Sequence, residues 1–270
     1  MTDWVVGMIM SFVTALDASI NEARAVLTTK IFEGPMYDLV NGISIAIRPI
    51  AISILGLCFV IEFLKILTQE DILKWQTGFK IGAKLVLTYV ALDVAADLMK
   101  AIYATGGALI AQVNADGAST MATLVDAGLH KALDKLNLLQ AIGMLATIGI
   151  GFLIIWLTGI IILVMAYGRT IELLLHIAIA PIPCAFLILE GHQARLFWKF
   201  IMSFAANCLQ GFFIVLAIAI YNAMVETIMK NALEDGADLG KIVGGLLLGA
   251  IVLLVTVTKS GSLAKSILDA

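Results

Sequence analysis

Apolar positions along this chain fall into long runs separated by short polar links. The first run carries a stripe: Trp4, Val5, Met8, Ile9, Phe12, Val13, Leu16 and Ile20. That spacing puts all of them on one helix face. Asp3, Ser11, Asp17 and Asn21 take the opposite face. The pattern predicts an amphipathic helix lying at a membrane interface or against partner helices. No Lys or Arg precedes Arg24, so anionic lipid is not its expected target, and Gly34-Pro35 closes the region.

The next run, about 40 to 67, has an uncharged centre from Pro49 to Ile61. Arg48 and the Glu62/Lys65 pair sit near its ends, where long side chains snorkel. A polar link, Thr68-Gln69-Glu70-Asp71 with Lys74 and Trp75, leads to a second helix over about 76–103. There Lys80 and Lys84 are four apart, as are Asp93 and Asp97, so each pair shares a face. Such a helix packs inside a bundle or carries its second half out of the membrane. Residues 104–137 are the longest polar stretch. Gly106-Gly107 and the 114–119 segment read as breaks, and Met121 to Leu136 trace a further amphipathic helix, so an external lobe is expected.

No charge interrupts Leu136 to Gly168, a run longer than the ~20 residues one straight span needs. A tilted helix, or one continuing past the membrane, is expected. Then comes Ala178-Ile179-Ala180-Pro181-Ile182-Pro183-Cys184. Proline removes a backbone donor and disfavours helix at the residue before it. Pro181 and Pro183 therefore predict a break, giving either a kinked span or two half-helices of a re-entrant hairpin. A turn at 191–195, an interface anchor at Phe197-Trp198-Lys199, a span over 200–225, a polar link and a last span over 242–258 complete the chain.

Composition sharpens the class. Hydrophobic residues make up 61% and charged residues 14%, against roughly 45–50% and about 25% in soluble domains. The expected fold is all-α: a polytopic integral membrane protein with about five or six membrane helices, one broken at Pro181/Pro183, plus the N-terminal amphipathic helix. The expected division is 1–34 external or interfacial, 35–103 two membrane helices, 104–137 external lobe, and 138–270 membrane bundle. Net charge is -3, which provides no broad basic surface for nucleic acid. Cys58, Cys184 and Cys208 lie in apolar runs without CxxC spacing and read as small buried hydrophobes.

Arg169, Glu172 and His176 fall on one helix face and form a candidate polar lining. The bland reading is an interface Arg–Glu pair with a hydrogen-bonded histidine. Gly240, Gly244, Gly245 and Gly249 have small-residue spacing for close helix packing. The sequence contains no nucleophile elbow, P-loop, HExxH or dinucleotide turn, so no catalytic residue, metal site or cofactor is expected, and the reading is non-enzymatic. An alternative is a small secondary transporter or ion channel with its site in the broken helix near 172–184.

One stretch resembles a known family: Ala178 to Pro183, then Lys199-Phe200-Ile201, then Asn207-Cys208-Leu209-Gln210-Gly211 through Val215-Leu216-Ala217. It is similar to the TrbL-like polytopic membrane subunits of type IV secretion and conjugation systems, especially the Gram-positive conjugal-transfer branch. The resemblance implies a channel or scaffold component of the inner or plasma membrane. It also implies a homo-oligomer beside other secretion subunits, including the translocation ATPases. Passage of a DNA–protein substrate would be transient, without tight nucleic-acid binding.

Overall fold

The computed structural model describes residues 2–29, 31–68, 75–115, 138–190, 194–234 and 239–268. The amphipathic segment expected over 121–136 and most of the 191–195 turn lie outside them. The described residues form helices throughout, with no strand among them. In chain order these are α1 (Thr2–Thr28), α2 (Pro35–Thr68), α3 (Trp75–Asp93), α4 (Ala95–Ala115), α5 (Leu138–Ile179) and α6 (Pro181–Cys184). A 3-10 turn (Ala185–Ile188), α7 (Arg195–Glu234) and α8 (Leu239–Leu268) follow.

Four stretches of these helices are long and apolar enough to cross a membrane: Pro35–Lys65, Leu153–Ile179, Arg195–Asn231 and Ile242–Leu268. Their outward faces carry large apolar side chains, among them Leu57, Trp156, Ile220 and Leu248. Water would penalise that surface and hydrocarbon accommodates it. The chain is an all-α, multi-pass membrane protein.

Local chemistry explains several boundaries. Gly34 has φ +93°, a conformation open to glycine, and Pro35 starts α2 at the position where a missing N–H costs least. Pro49 sits inside α2 without ending it. The expected single helix over 76–103 is two helices meeting at Val94, and the second runs on to Ala115. Gly106-Gly107, expected as a break, is helical instead. At Gly106 a Cβ would come 3.2 Å from Cys208 Cβ, so the missing side chain lets two helix backbones approach closely.

The chain divides into two compact units. The first comprises Met1–Thr29, Gly107–Arg169 and Gln210–Leu263. Its core takes Val13, Leu16, Ile20, Ala23 and Leu27 from α1. Against them pack Ile162 and Ala166 of α5, Ile214, Ile218, Tyr221 and Val225 of α7, and Leu246, Ala250 and Leu253 of α8. The buried face of α1 therefore docks on partner helices, one of the two placements its stripe allowed. Glu22 on its other side accepts a 3.0 Å hydrogen bond from Tyr167. Burial lowers the Arg24 pKa, while Asp17 pulls it back up.

The second unit comprises Lys30–Gly106, Thr170–Leu209 and Ala264–Ala270. Here α2 and α3 run antiparallel. Arg48 pairs with Asp93 at 3.0 Å, joining the early part of α2 to the last residue of α3. The core joins Ala51, Leu55 and Cys58 of α2, Leu92 of α3, Met99 of α4, and Leu173 and Ile177 of α5. Cys184, Ala185 and Ile188 belong to the same core, as do Phe197 and Phe204 of α7.

Candidate functional site

The helix is interrupted once, at Ala180, which keeps right-handed helical dihedrals before Pro181, while Pro183 lies inside the short helix that follows. Helix α5 runs unbroken through Arg169, Glu172 and His176 to Ile179. Pro181 then stands at the N-terminal end of the four-residue α6, preceded by Ala180, whose N–H reaches Ile177 O at 3.4 Å. Pro183 follows within that turn, which tightens into the 3-10 turn and ends at extended Leu189. Pro181, Cys184, Ala185 and Ile188 are buried, and the α6–turn element packs on α2 and α3. It is an irregular backbone segment enclosed by protein, the setting in which such backbone is tolerated at membrane depth.

The three residues of the expected polar lining differ in setting. Arg169 belongs to the first unit and is only 3% exposed. Its guanidinium lies against Gly211, where any Cβ would collide with Cζ and Nε. Glu172 and His176 belong to the second unit, with Glu172 exposed. His176 is half-buried, its ring 5.4 Å from that of Phe200 and 6.0 Å from that of Phe204. Its Nδ1 lies 2.7 Å from the Glu172 carbonyl oxygen. A carbonyl only accepts, so Nδ1 carries the proton and Nε2 faces the Ser203 hydroxyl at 3.4 Å. The ring is thus held by its own helix on one side and packed against two aromatics of α7.

The motif residues on α7 are sorted by depth. Asn207 and Gln210 are buried at 4% and 8% exposure, and Gly211 is buried against Arg169. Gln210 lies beside Gly261 of α8, where a Cβ would come 3.2 Å from its Nε2, and Ser260 next to it is also buried. Arg169, Gln210 and Ser260 thus give the first unit a polar interior within its apolar spans. Polar side chains at such depth are expensive and face the bundle. Lys199 is exposed near the start of α7.

The α8 glycines divide by face. Gly245 meets Ile228 and Gly249 meets Tyr221 and Met224, with Cβ distances of 2.9 and 3.1 Å at Gly249. Gly244 has nothing within 4 Å, and Gly240 is exposed.

One charged cluster escaped sequence reading. Glu190, just past the 3-10 turn, accepts a short hydrogen bond from Lys84 and pairs with Lys80 at 3.2 Å. The hydrogen bond from Lys84, then that from Lys80, holds its carboxyl below the usual value. The two lysines were legible as one helix face, but their acceptor lies 106 positions away from Lys84. Among the described residues no group of His, Cys, Asp or Glu is arranged to hold a metal ion.

A family model described as TrbL/VirB6 plasmid conjugal transfer like protein matches residues 19–181. No curated protein and no solved structure matches the chain. Of the residues that carry the resemblance, only Ala178 to Pro181 fall inside the match, so it rests chiefly on α1 to α5 rather than on Lys199 to Ala217. With more than half of its length matched, the chain belongs to the TrbL/VirB6 plasmid conjugal transfer-like family.

Proposed function

We propose that this protein is a non-enzymatic channel or scaffold subunit of a type IV secretion machine that carries out conjugative transfer, seated in the inner or plasma membrane. The family match over residues 19–181 carries the reading. The four apolar stretches support a membrane seat. The subunit assembles with copies of itself and with other secretion components, including the ATPases that power transfer. Gly244 and Gly240, which face outward on α8, offer a surface for such assembly.

The packing supports a bracing role for the broken helix. Pro181, Cys184 and Ile188 lie in an apolar core with Leu55 and Cys58, which offers a polar solute little to bind. A net charge of -3 gives the chain no overall electrostatic attraction for single-stranded DNA. The substrate is guided past it rather than gripped. Deleting the gene in its host and measuring transfer frequency of the mobile element, with complementation in trans, tests the proposal. Transfer lost and then restored is the expected result. Unchanged transfer would overturn it.

A further inference from the structure

The charges of the second unit are sorted between its two ends. Seventeen positions separate Arg48 from Lys65 on α2, about 25 Å at a helical rise of ~1.5 Å per residue. That approaches the ~30 Å of a hydrocarbon core. At the first end, Arg48 is answered by Asp93. At the other, α2 ends with Lys65 on buried Glu62, at 3.3 Å. Because α3 is antiparallel, Lys80 falls toward that same end and Lys84 about midway along α3, and Glu190 bridges the two. Arg195 and Lys199, both exposed, open α7 only five and nine positions after Glu190. Fully extended, five residues reach about 18 Å. Among the described residues, five cations, Lys65, Lys80, Lys84, Arg195 and Lys199, thus accompany two carboxylates, Glu62 and Glu190, while the link between α2 and α3 adds Glu70, Asp71 and Lys74 in sequence.

Large apolar side chains interleave with these cations. Phe79 is 71% exposed beside Lys80, and Leu196 and Trp198 are exposed between Arg195 and Lys199. Exposed aromatics beside cations could also stack on the bases of a single strand, but the aliphatic Leu196 offers no stacking face and suits hydrocarbon. Cations set among lipid-facing apolar groups, with an indole in the same turn, lie at headgroup depth. An anionic leaflet attracts such residues.

We propose that the Lys80–Arg195–Lys199 end of the second unit is a binding collar for the phosphates of anionic phospholipid. Lys65 and Lys84 are committed chiefly to Glu62 and Glu190. Lys80, Arg195 and Lys199 supply the excess charge. The collar stands on the membrane reading alone and does not depend on a role in conjugation.

The test uses the full chain with Trp198 as its sole tryptophan (Trp4→Phe, Trp75→Phe, Trp156→Phe). It is reconstituted in phosphatidylcholine vesicles containing either brominated phosphatidylglycerol or brominated phosphatidylcholine as the quencher. The expected result is a several-fold preference of the Trp198 site for phosphatidylglycerol, falling with salt. K80Q/R195Q/K199Q, which removes the Lys80–Glu190 pair but leaves Lys65–Glu62 and Lys84–Glu190 in place, brings the preference near unity, and K80R/K199R retains it. Equal quenching by the two lipids, or an undiminished preference in the folded glutamine variant, overturns the proposal. If the glutamine variant does not fold, a preference insensitive to salt in the parent overturns it equally. A single-stranded oligonucleotide that displaces the brominated phosphatidylglycerol would mark a nucleic-acid surface and overturn the lipid assignment.

Discussion

The guanidinium of Arg169 occupies the space that a side chain at Gly211 would fill. A buried cation on α5 thereby sets the residue type on α7. Gly211→Leu must displace a nearly inaccessible charged group, and overpacking of this kind costs about 1–3 kcal/mol. Thermal unfolding in detergent should show that loss. In an Arg169→Ala background the same substitution should cost markedly less, because the double-mutant cycle removes the collision. Additive losses would show that Arg169 does not set the requirement at 211.

On α8, two neighbouring glycines should behave in opposite ways. Gly249→Leu drives into Tyr221 and Met224 and should lower the stability of the isolated chain by about 1–3 kcal/mol. Gly244→Leu enters open space and should leave that stability within about 0.5 kcal/mol, as ordinary surface changes do. If Gly244 serves assembly, its substitution lowers oligomer content in size-exclusion chromatography while the melting temperature holds.

Acid should loosen the docking of the broken helix. The folded pKa of Glu190 is depressed below 4.5, chiefly by Lys84. Its pairing therefore contributes stability that is fully present above about 4.5 and fades as pH falls through the lower folded value. Half-exposure of the carboxylate keeps the effect small. Melting curves from neutral to strongly acidic pH should converge for the parent and Glu190→Gln at the acid end, with the parent more stable at neutral pH. Parallel curves would count against the linkage.

The His176 ring offers a spectroscopic check. Its Nδ1–H donates to the Glu172 carbonyl, so nitrogen chemical shifts of labelled protein should report a protonated Nδ1. Ser203→Ala removes a long contact and should cost less than about 1 kcal/mol. A reversed tautomer would mean that the ring is held otherwise.

The spans were legible because hydrocarbon demands long uncharged runs, and Phe200 to Val225 announces itself by that rule alone. The proline break was legible for the same reason: proline's backbone chemistry is local. Helix ends in polar stretches were harder. The last span reads as 242–258, yet α8 continues to Leu268 through Lys259, Gly261 and Lys265. Gly106-Gly107 reads as a break, because nothing nearby in sequence reveals that Cys208 will pack there. Arg169, Glu172 and His176 share a stripe in sequence, but Gly211 of α7 meets Arg169, Phe200 and Phe204 of α7 flank His176, and Glu172 is exposed. Periodicity gives the face of a helix, not the partner that covers it.

The first unit draws its core from Met1–Thr29, Gly107–Arg169 and Gln210–Leu263. Helix α1 is thus made well before α7 and α8, which begin at Arg195 and Leu239, and much of its apolar face waits for them. Pairings so distant in sequence close slowly and leave greasy surface unshielded meanwhile. Such a bundle gains from insertion machinery or a chaperone that shelters α1 until α7 and α8 have been made. A nascent chain stalled before α7 is made is in this sense an unfinished bundle, with α1 partnered by α5 but not yet by α7 and α8.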